Sequence, residues 1–442
     1  MLNQSFSADN FRRILDLENR KGVYLEGHFF PSLNKITENI KQCNNDIREK
    51  RRNKPRLHDE LKNLYEKRKE LKEKKEEQLN AELQKVTDKI VVSTFKVAID
   101  KKDIPNGKSL YIVRNSPEYY FTMKQLQSNL SRLFNVKQAN RSEIVSQVKV
   151  LLNDGFPKYV IRTDIDDFYE NIPQEPLIKK IKGNNLMTPF SRKILIHILN
   201  KYKELSGSDK GIPRGIGISA YLAELYMRDI DKDLMSLKGI SYYARYVDDI
   251  IIIFTPISTG QSRGYLDEVK EVVAKFKLNL NDTKTCSFDL QSNKQMYRLD
   301  YLGYEISFGK GILKTKLTEK RITKYKNRID SAFDHYLNLC NINEKEARKL
   351  LVKRIRFLTG NTRLKNNKEN ILVGIYYSNC QLTEKEDLIS LDDYLRTKIN
   401  NTIKLDRLQK RLKKYNFKEG FEAKRFSPFK THELKKIMEI WN

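Results

Sequence analysis

The sequence predicts an α+β chain in three parts, and three observations carry that prediction. Residues 41–90 hold 16 Lys/Arg and 11 Asp/Glu, with Leu57, Leu61, Leu64, Leu71, Leu79, Leu83 and Val86 recurring at roughly helical intervals. From residue 159 the apolar period changes to that of strands, in YVIRTDI, SYYARY and the unbroken run from Ile250 to Phe254. Beyond about residue 317 the sequence is again helical and is basic; residues 401–442 alone hold 12 Lys/Arg against 5 Asp/Glu. The expected organisation is a charged helical extension over 1–105, a mixed region over 106–316 and a basic helical region over 317–442.

Each element has a local reason. The 41–90 run reads as one or two long, mostly solvated helices, either a charged antiparallel arm or a surface for partners or phosphates. Asn106-Gly107 is a turn signal. Tyr119–Phe134 is helix-like, and Ser142 to Leu152 places Ile144, Val145, Val148 and Leu151 on one face. After the YVIRTDI strand come two helical stretches over about 174–203, then a Gly-rich turn, GIPRGIGIS, opening an apolar helix through Met227. SYYARY and Ile250–Phe254 form a hairpin through Val247-Asp248-Asp249, and YLGYEISFGKGILK forms a second, turning near Gly309-Lys310.

Composition narrows the function. Over 442 residues, 85 Lys+Arg against 57 Asp+Glu give a formal charge of +28, which argues for a polyanionic partner, nucleic acid first. The 23 Tyr and 20 Phe, with many Ile and Leu, supply apolar area for packed domains despite 32% charged residues. Cys43, Cys286, Cys340 and Cys380 form no CxxC pair, so neither a zinc spacing nor a disulfide framework is expected, and a reducing cytoplasm fits. The N-terminus has no apolar leader core, and no apolar run approaches the ~20 residues of a spanning helix. Neither secretion nor membrane spanning is expected.

Two carboxylate clusters carry the chemistry. Asp164 ends a strand, and Asp248-Asp249 sits at a hairpin whose following arm is too apolar for a surface loop. Adjacent like charges between buried strands are unfavourable unless a cation neutralises them, and hard oxygen ligands from two strands suit Mg²⁺ completed by substrate phosphates. Two such ions, about 4 Å apart, clamp the attacking and leaving oxygens of an in-line phosphoryl transfer. Taken alone, Asp248-Asp249 reads as a polar hairpin turn.

The pair is not alone. DIDDFYENIP (164–173), IPRGIGISAYLAELYM (212–227), YVDD (246–249), LNLNDTKT (278–285) and YLGYEIS (301–307) follow one another in the order and spacing of the reverse transcriptase palm, and the chain resembles that family over about residues 110–310. The resemblance implies a right-hand polymerase of fingers and palm, with the N-terminal arm and a helical, thumb-like C-terminal region added. It implies two Mg²⁺ ions, with Mn²⁺ as a substitute, bound by Asp164, Asp248 and Asp249 with the Ile165 carbonyl as an extra ligand. Asp167, Phe168 and Tyr169 fall at the incoming nucleotide, and Tyr169 is similar to the steric gate that excludes a 2′-hydroxyl; its alternative is core packing. Lys284 resembles the lysine proposed to protonate the leaving pyrophosphate, against a plain solvated lysine.

Arg214 stands where most reverse transcriptases carry Gln beside the incoming nucleotide and its templating partner. A permanent cation with five donors could hold a triphosphate or template phosphate there, or pair with a base edge. Gly215 and Gly217 allow close approach of backbone to nucleic acid. Arg132, Lys137 and Arg141 precede the palm as triphosphate or template contacts, and Tyr301 and Gly303 fall in the hairpin that resembles the primer grip.

The sequence shows no RNase H segment, integrase-like HHCC set or zinc-bearing maturase tail. RIRFLTGNTRL (354–364), VGIYYSN (373–379) and PRGIGISAYLAELYMRDID resemble bacterial phage-defence reverse transcriptases of the abortive-infection and unknown-group lineage, nearest to the b-type polymerase of the type 3 defence-associated system. That resemblance implies a prokaryotic cytoplasmic DNA polymerase taking deoxynucleoside triphosphates. It also implies a non-coding RNA, a DNA product that can be repetitive or untemplated, a second reverse transcriptase subunit and an oligomeric complex. A retron- or intron-type RNA-templated enzyme and a non-catalytic RNA-binding scaffold are the alternatives.

Overall fold

The computed structural model describes residues 2–20, 23–52, 58–104, 109–136, 139–256, 264–290, 295–364 and 371–441. The chain forms two compact units, each assembled from separated stretches: 1–137, 166–232 and 275–278 in the first, and 138–165, 233–274 and 279–442 in the second.

In the first unit the charged run folds as two helices, Asn34–Arg52 and His58–Val91, packed against each other. Lys50 pairs with Glu60 at 2.5 Å, and the Cys43 thiol donates to the Leu64 carbonyl at 3.3 Å, so the pair is antiparallel. Leu79, Leu83, Val86 and Ile90 are buried, whereas Leu64 and Leu71 are only half-buried and Leu57 lies outside the described residues. The longer helix is not a free arm throughout: Glu76 pairs with Arg12 at 3.0 Å and Lys75 with Glu26 at 2.5 Å. Phe11 and Phe30 pack on Phe121 with ring centres 5.3 and 6.4 Å apart, fixing the N-terminal helices to helix Pro117–Leu133. Strands β1 (Ile99–Asp103) and β2 (Ser109–Val113) form an antiparallel hairpin. The Asn106-Gly107 turn signal falls between them, outside the described residues.

The second unit is built on a four-stranded antiparallel sheet, with β3 (Tyr159–Asp164), β4 (Ile240–Tyr246), β5 (Asp249–Phe254) and β6 (Cys286–Asp289) in the order β4-β5-β3-β6. The run Ile250 to Phe254 is fully buried because both faces of β5 are covered. Ile251 and Ile253 share a core with Ile144, Val145 and Val148 of helix Arg141–Asn153, and Phe254 stacks on Tyr265 at 4.2 Å. A second antiparallel sheet, β7 (Tyr297–Tyr301), β8 (Tyr304–Gly309) and β9 (Ile312–Leu317), adds Leu299, Ile306 and Phe308 to the same core. The second predicted hairpin is therefore two arms of a three-stranded sheet.

The basic C-terminal region is helical with one correction. Helices Glu319–Leu358 and Glu386–Thr402 share a core containing Ile329, Phe333, Ile355, Leu391 and Leu395, and Asn343 interrupts the first with non-helical φ −151° and ψ 90°. Between them β10 (Asn361–Leu364) and β11 (Ile371–Gly374) form an antiparallel hairpin that helical periodicity did not predict. Four-residue strands are too short to announce a period, and their geometry is set by the fold around them. Asn361 donates to the Gly420 carbonyl at 3.1 Å and accepts from the Tyr376 amide at 2.9 Å. A Cβ on Gly420 would lie 1.7 Å from the Thr359 carbonyl oxygen, so only glycine fits there. The helix expected to end at Met227 runs from Ser219 to Met235. Among the described residues no helix is long and apolar enough to cross a membrane.

Candidate active site

The second unit gathers Asp164, Asp248 and Asp249 at one end of its sheet. Asp164 is the last residue of β3 and stands opposite Asp249, the first of β5. Directly opposed residues of an antiparallel pair project to the same face, so the two carboxylates are neighbours by register. Asp248 and Val247 make the turn from β4, and Val247 has φ +63°. A β-branched residue in the left-handed region is strained, and the strain sits where Asp248 is aimed. The Asp248 carbonyl accepts from the Ile165 amide at 3.3 Å, which ties the turn across to the end of β3.

Two cations hold this end together. Residues 281–285 turn tightly, with the Lys284 and Thr285 amides donating to the Asn281 carbonyl at 3.1 and 2.9 Å, while the Asn281 amide donates to the Asp164 carbonyl at 2.8 Å. That turn brings Lys284 Nζ to Asp164 Oδ2 at 2.8 Å. The hydrogen bond to Asp164 raises the Lys284 pKa, so the ammonium stays charged, and its side chain is about half exposed. Arg162, two residues before Asp164 and on the same strand face, donates from Nη2 to Asp249 Oδ1 at 2.6 Å and from Nη1 to the Lys284 carbonyl at 2.7 Å. Sequence reasoning passed over Arg162, although period-two spacing from Asp164 was the available signal.

Burial raises the pKa of Asp248, with the nearby Asp164 charge adding to it. Burial also raises Asp249, against the opposing pull of Arg162. Crowded, desolvated carboxylates of this kind are what a hard divalent cation neutralises. Among the described residues no three acidic, His or Cys side chains converge as a ready-made ligand set, and cations hold Asp164 and Asp249. The donors fit a cation bound by a few carboxylates and completed by substrate phosphates, not one held in an all-protein cage.

The other expected site residues fall in different surroundings. In the first unit, Arg214 donates to both oxygens of Glu170, at 2.9 and 3.1 Å, and its guanidinium lies 5.6 Å from the Tyr169 ring centre. The Ile212 amide donates to the Tyr169 carbonyl at 2.8 Å and the Tyr111 amide to the Arg214 carbonyl at 2.7 Å, lacing the GIPRGIGIS loop to its neighbours. Gly215, with φ +99°, passes within contact of the Tyr111 carbonyl, where a Cβ would stand 2.8 Å away. Gly215 and Gly217 also line a cavity of about 290 Å³ with Arg114, Tyr120, Lys124 and Gln127. Asp167 is exposed with φ +37°. Phe168, expected at the nucleotide, is instead 3% exposed; its ring belongs to the core, 5.5 Å from the Tyr169 ring. Arg132 is exposed in the last turn of its helix, and Lys137 lies outside the described residues.

In the second unit, Tyr301 is 1% exposed and cannot offer its ring to nucleic acid; it floors the site, its hydroxyl raised by burial and by the Asp249 charge. Arg141 does not project toward solvent either: it donates to the Leu302 carbonyl from Nε at 2.7 Å and lies 5.0 Å from the Tyr304 ring centre. Gly303 is half-exposed beside it. Ile165 is buried, its backbone bridged to Leu280. Along helix Glu319–Leu358, Lys320, Lys324 and Arg328 run beside Thr323, Asn327 and Ser331 in an open groove of about 740 Å³ closed at one side by Trp441.

Paired carboxylates on adjoining strand ends, with a lysine on one of them, are groups able to hold a hard divalent cation beside a phosphate. Residues 113–306 match the family model described as reverse transcriptase (RNA-dependent DNA polymerase). The matched segment is similar to RNA-directed DNA polymerases, a class of nucleotidyltransferase, and the mixed helix and strand architecture accords with the right-hand polymerase fold class. Among solved structures, apo telomerase from Candida tropicalis truncated of its C-terminal domain aligns with a TM-score of 0.37 and 14% identity, over 51% of this chain and 56% of that one. Telomerase from Candida albicans in complex with the TWJ fragment of telomeric RNA aligns with a TM-score of 0.37 and 12% identity, over 78% of this chain and 66% of that one. This chain thus spans less than two thirds of the length of either telomerase. No curated protein matches it.

Proposed function

We propose that the protein is a Mg²⁺-dependent DNA polymerase that adds deoxynucleotides within an antiphage defence complex of the prokaryotic cytoplasm, with Mn²⁺ able to replace Mg²⁺. The observation that carries the reading is the cross-strand pair Asp164 and Asp249, with Asp248 on a strained turn beside them and Lys284 on Asp164. Asp164, Asp248 and Asp249 would hold the metal ions, with the Ile165 carbonyl as a further ligand. Bound there, the metals supply charge neutralisation for the attacking and leaving oxygens. Lys284 carries a proton at Nζ and is about half exposed, which suits it to protonate the pyrophosphate as it leaves.

The substrate is a deoxynucleoside triphosphate on the strength of Tyr169, whose ring the Arg214 guanidinium backs at 5.6 Å. Arg214 is the proposed triphosphate contact, and in this structure Glu170 occupies its fork. An incoming anion must displace that carboxylate. The Glu170→Gln variant should therefore lower the KM for deoxynucleotide about three- to tenfold, at a stability loss below about 1 kcal/mol, since both side chains are about a third exposed. Steady-state kinetics decide it; an unchanged or higher KM removes Arg214 from the triphosphate.

A non-coding RNA, a second reverse transcriptase subunit and assembly into an oligomer complete the proposal, supported by the +28 charge and the basic groove on helix Glu319–Leu358. The product is proposed to be repetitive DNA made without ordinary templating. Ordinary RNA-templated synthesis of retron or intron type is the second reading, favoured by the family description itself. Sequencing the DNA made by purified protein with Mg²⁺ and all four deoxynucleotides, with and without RNase, separates them. Repetitive product that survives RNase is expected. Product complementary to a co-purified RNA and lost with RNase returns the protein to conventional reverse transcription.

A further inference from the structure

The strand pairing beside Asp164 is interrupted, and the interruption carries Lys284. β6 runs along β3 as far as Cys286 opposite Arg162, and the chain meets β3 again where Leu280 bridges to Ile165. Between those two points residues 281–285 loop out opposite Thr163 and Asp164 alone. An unbroken ladder cannot span a mismatch of that size, so the base of the loop depends on other hydrogen bonds.

One of them is a relay of hydroxyls. Thr163 Oγ1 lies 2.7 Å from Thr285 Oγ1, and Thr285 Oγ1 donates to the Asn281 carbonyl at 2.8 Å. A hydroxyl has one proton, so Thr285, having given its own to that carbonyl, accepts from Thr163. Thr163 is fully buried, opposite Ile250 across the sheet and in a strand with Val160 and Ile161. Valine has the same shape and suits a covered strand at least as well, whereas a buried hydroxyl costs stability unless it is bonded. The hydroxyl at 163 therefore serves the loop and not the sheet.

The relay ends on the turn that aims Lys284. The Lys284 and Thr285 amides donate to the same Asn281 carbonyl, at 3.1 and 2.9 Å. In this structure Asp164 also holds Lys284 Nζ, at 2.8 Å. That hold is conditional, because a carboxylate that neutralises a divalent cation has less charge to offer an ammonium. Once Asp164 is so committed, the place of Nζ follows from the backbone that carries it. That backbone is tied to β3 by Arg162 at the Lys284 carbonyl and by Thr163 at Thr285.

We propose that Thr163 is a positioning residue for Lys284: through Thr285 its hydroxyl holds the 281–285 turn, so that Nζ stays at the leaving phosphate when Asp164 no longer holds it. The leaving phosphate rests on the polymerase reading; the hold on the turn does not. Thr163 touches no reacting atom, since its side chain points to the opposite face of β3 from that of Asp164.

Two measurements test this, and the first needs no synthesis. Amide hydrogen exchange over 281–285, in full-length protein with Mg²⁺, should be about tenfold faster in Thr163→Val than in wild type. It should be unchanged in Thr163→Ser, which keeps the donor. Equal exchange in wild type and the valine variant overturns the proposal, whether or not the protein makes DNA. The second measurement reads the chemistry. The bond from the α-phosphorus to the leaving oxygen breaks and the Nζ proton goes to that oxygen, so the acid matters most for a poor leaving group. Single-turnover incorporation is compared for the β,γ-methylene and β,γ-difluoromethylene analogues of deoxyadenosine triphosphate, the second of which releases the more acidic bisphosphonate. Thr163→Val should slow incorporation about tenfold with nucleotide affinity unchanged, and widen the rate gap between the analogues about threefold. Thr163→Ser should restore both. A slower valine variant with the wild-type gap makes Thr163 a structural residue only and overturns the proposal. Should Thr163→Val not fold, Thr285→Val breaks the relay at its half-buried middle link and should change exchange and gap alike; wild-type values there overturn the proposal equally. Absence of incorporation by the wild type fails the polymerase reading, and the exchange result still decides the hold on the turn.

Discussion

Asp248→Asn should leave the protein folded and reduce deoxynucleotide incorporation on the order of 10³-fold, the scale of losing a preorganised charge that acts on the reacting phosphate. The more diagnostic half of the result is stability. Asp248 is desolvated and faces Asp164 and Asp249, so its folded pKa lies above the ordinary value of 3.8. For a carboxyl raised on folding, the protonated form is the one the fold tolerates. Stability from this group is complete below 3.8 and is lost as pH rises through the raised value. At neutral pH without divalent metal, the asparagine variant should therefore melt at or above the wild-type temperature, and the gap should close toward pH 4. Thermal melts in chelator across that range, beside an incorporation assay, check both halves. A variant several degrees less stable would make Asp248 a structural carboxylate, and full incorporation would remove it from the site.

Arg162→Leu should be the most damaging single change at this end of the sheet that leaves every carboxylate in place. Its fork joins Asp249 to the Lys284 carbonyl, with the arginine side chain 15% and the aspartate 25% exposed. Breaking a fully buried pair costs about 3–5 kcal/mol; with this much solvent access roughly 2 kcal/mol is expected. Without Arg162, Asp249 loses the charge that opposes its burial, and its pKa rises further. The deficit should thus grow with pH above the ordinary carboxylate range and shrink in acid. The double variant Arg162→Leu, Asp249→Asn should recover most of the lost stability, because it removes the stranded charge together with its partner. A single variant and a double variant that melt alike would show that the ion pair contributes nothing to the fold. Incorporation should fall in the single variant too, since the turn carrying Lys284 loses its tie to β3.

Much of this is legible in the sequence alone. An apolar run as pure as Ile250 to Phe254 can only be a covered strand, and that forces Asp248-Asp249 to its end, where their charge demands an explanation. The carboxylates, the lysine and the Gly-rich loop were found because each stands in a local phrase. What escaped depends on pairing across long separations. Arg162 reads as an ordinary strand polar residue until the register sets it on the Asp249 face, and Glu170 as a helix-start acid until it meets Arg214, 44 residues on. Phe168 and Tyr301 are expected at the ligand because neighbours in the phrase are, but both are buried: Tyr301 lies on the inward-facing alternation of β7, and Phe168 opens a one-turn helix whose packing the phrase does not announce. Arg141 reads as a triphosphate or template contact because nothing in the sequence shows that the Leu302 and Ser378 carbonyls receive it. The short β10–β11 hairpin was hidden inside sequence whose basic, helical character on either side was real.

One detail of the basic groove has an optical consequence. The chain contains a single tryptophan, Trp441. Its indole nitrogen donates to the Arg328 carbonyl at 3.0 Å, and the Arg328 guanidinium lies 5.8 Å from its ring centre, while Phe357 stacks on it at 5.9 Å. A cation beside an indole alters its excited state, and Arg328 is one of the groove's own cations. Excited at wavelengths that tyrosine does not absorb, the native, unlabelled protein therefore emits from one ring at one known place. Whatever draws Arg328 away from it writes its arrival directly into the spectrum.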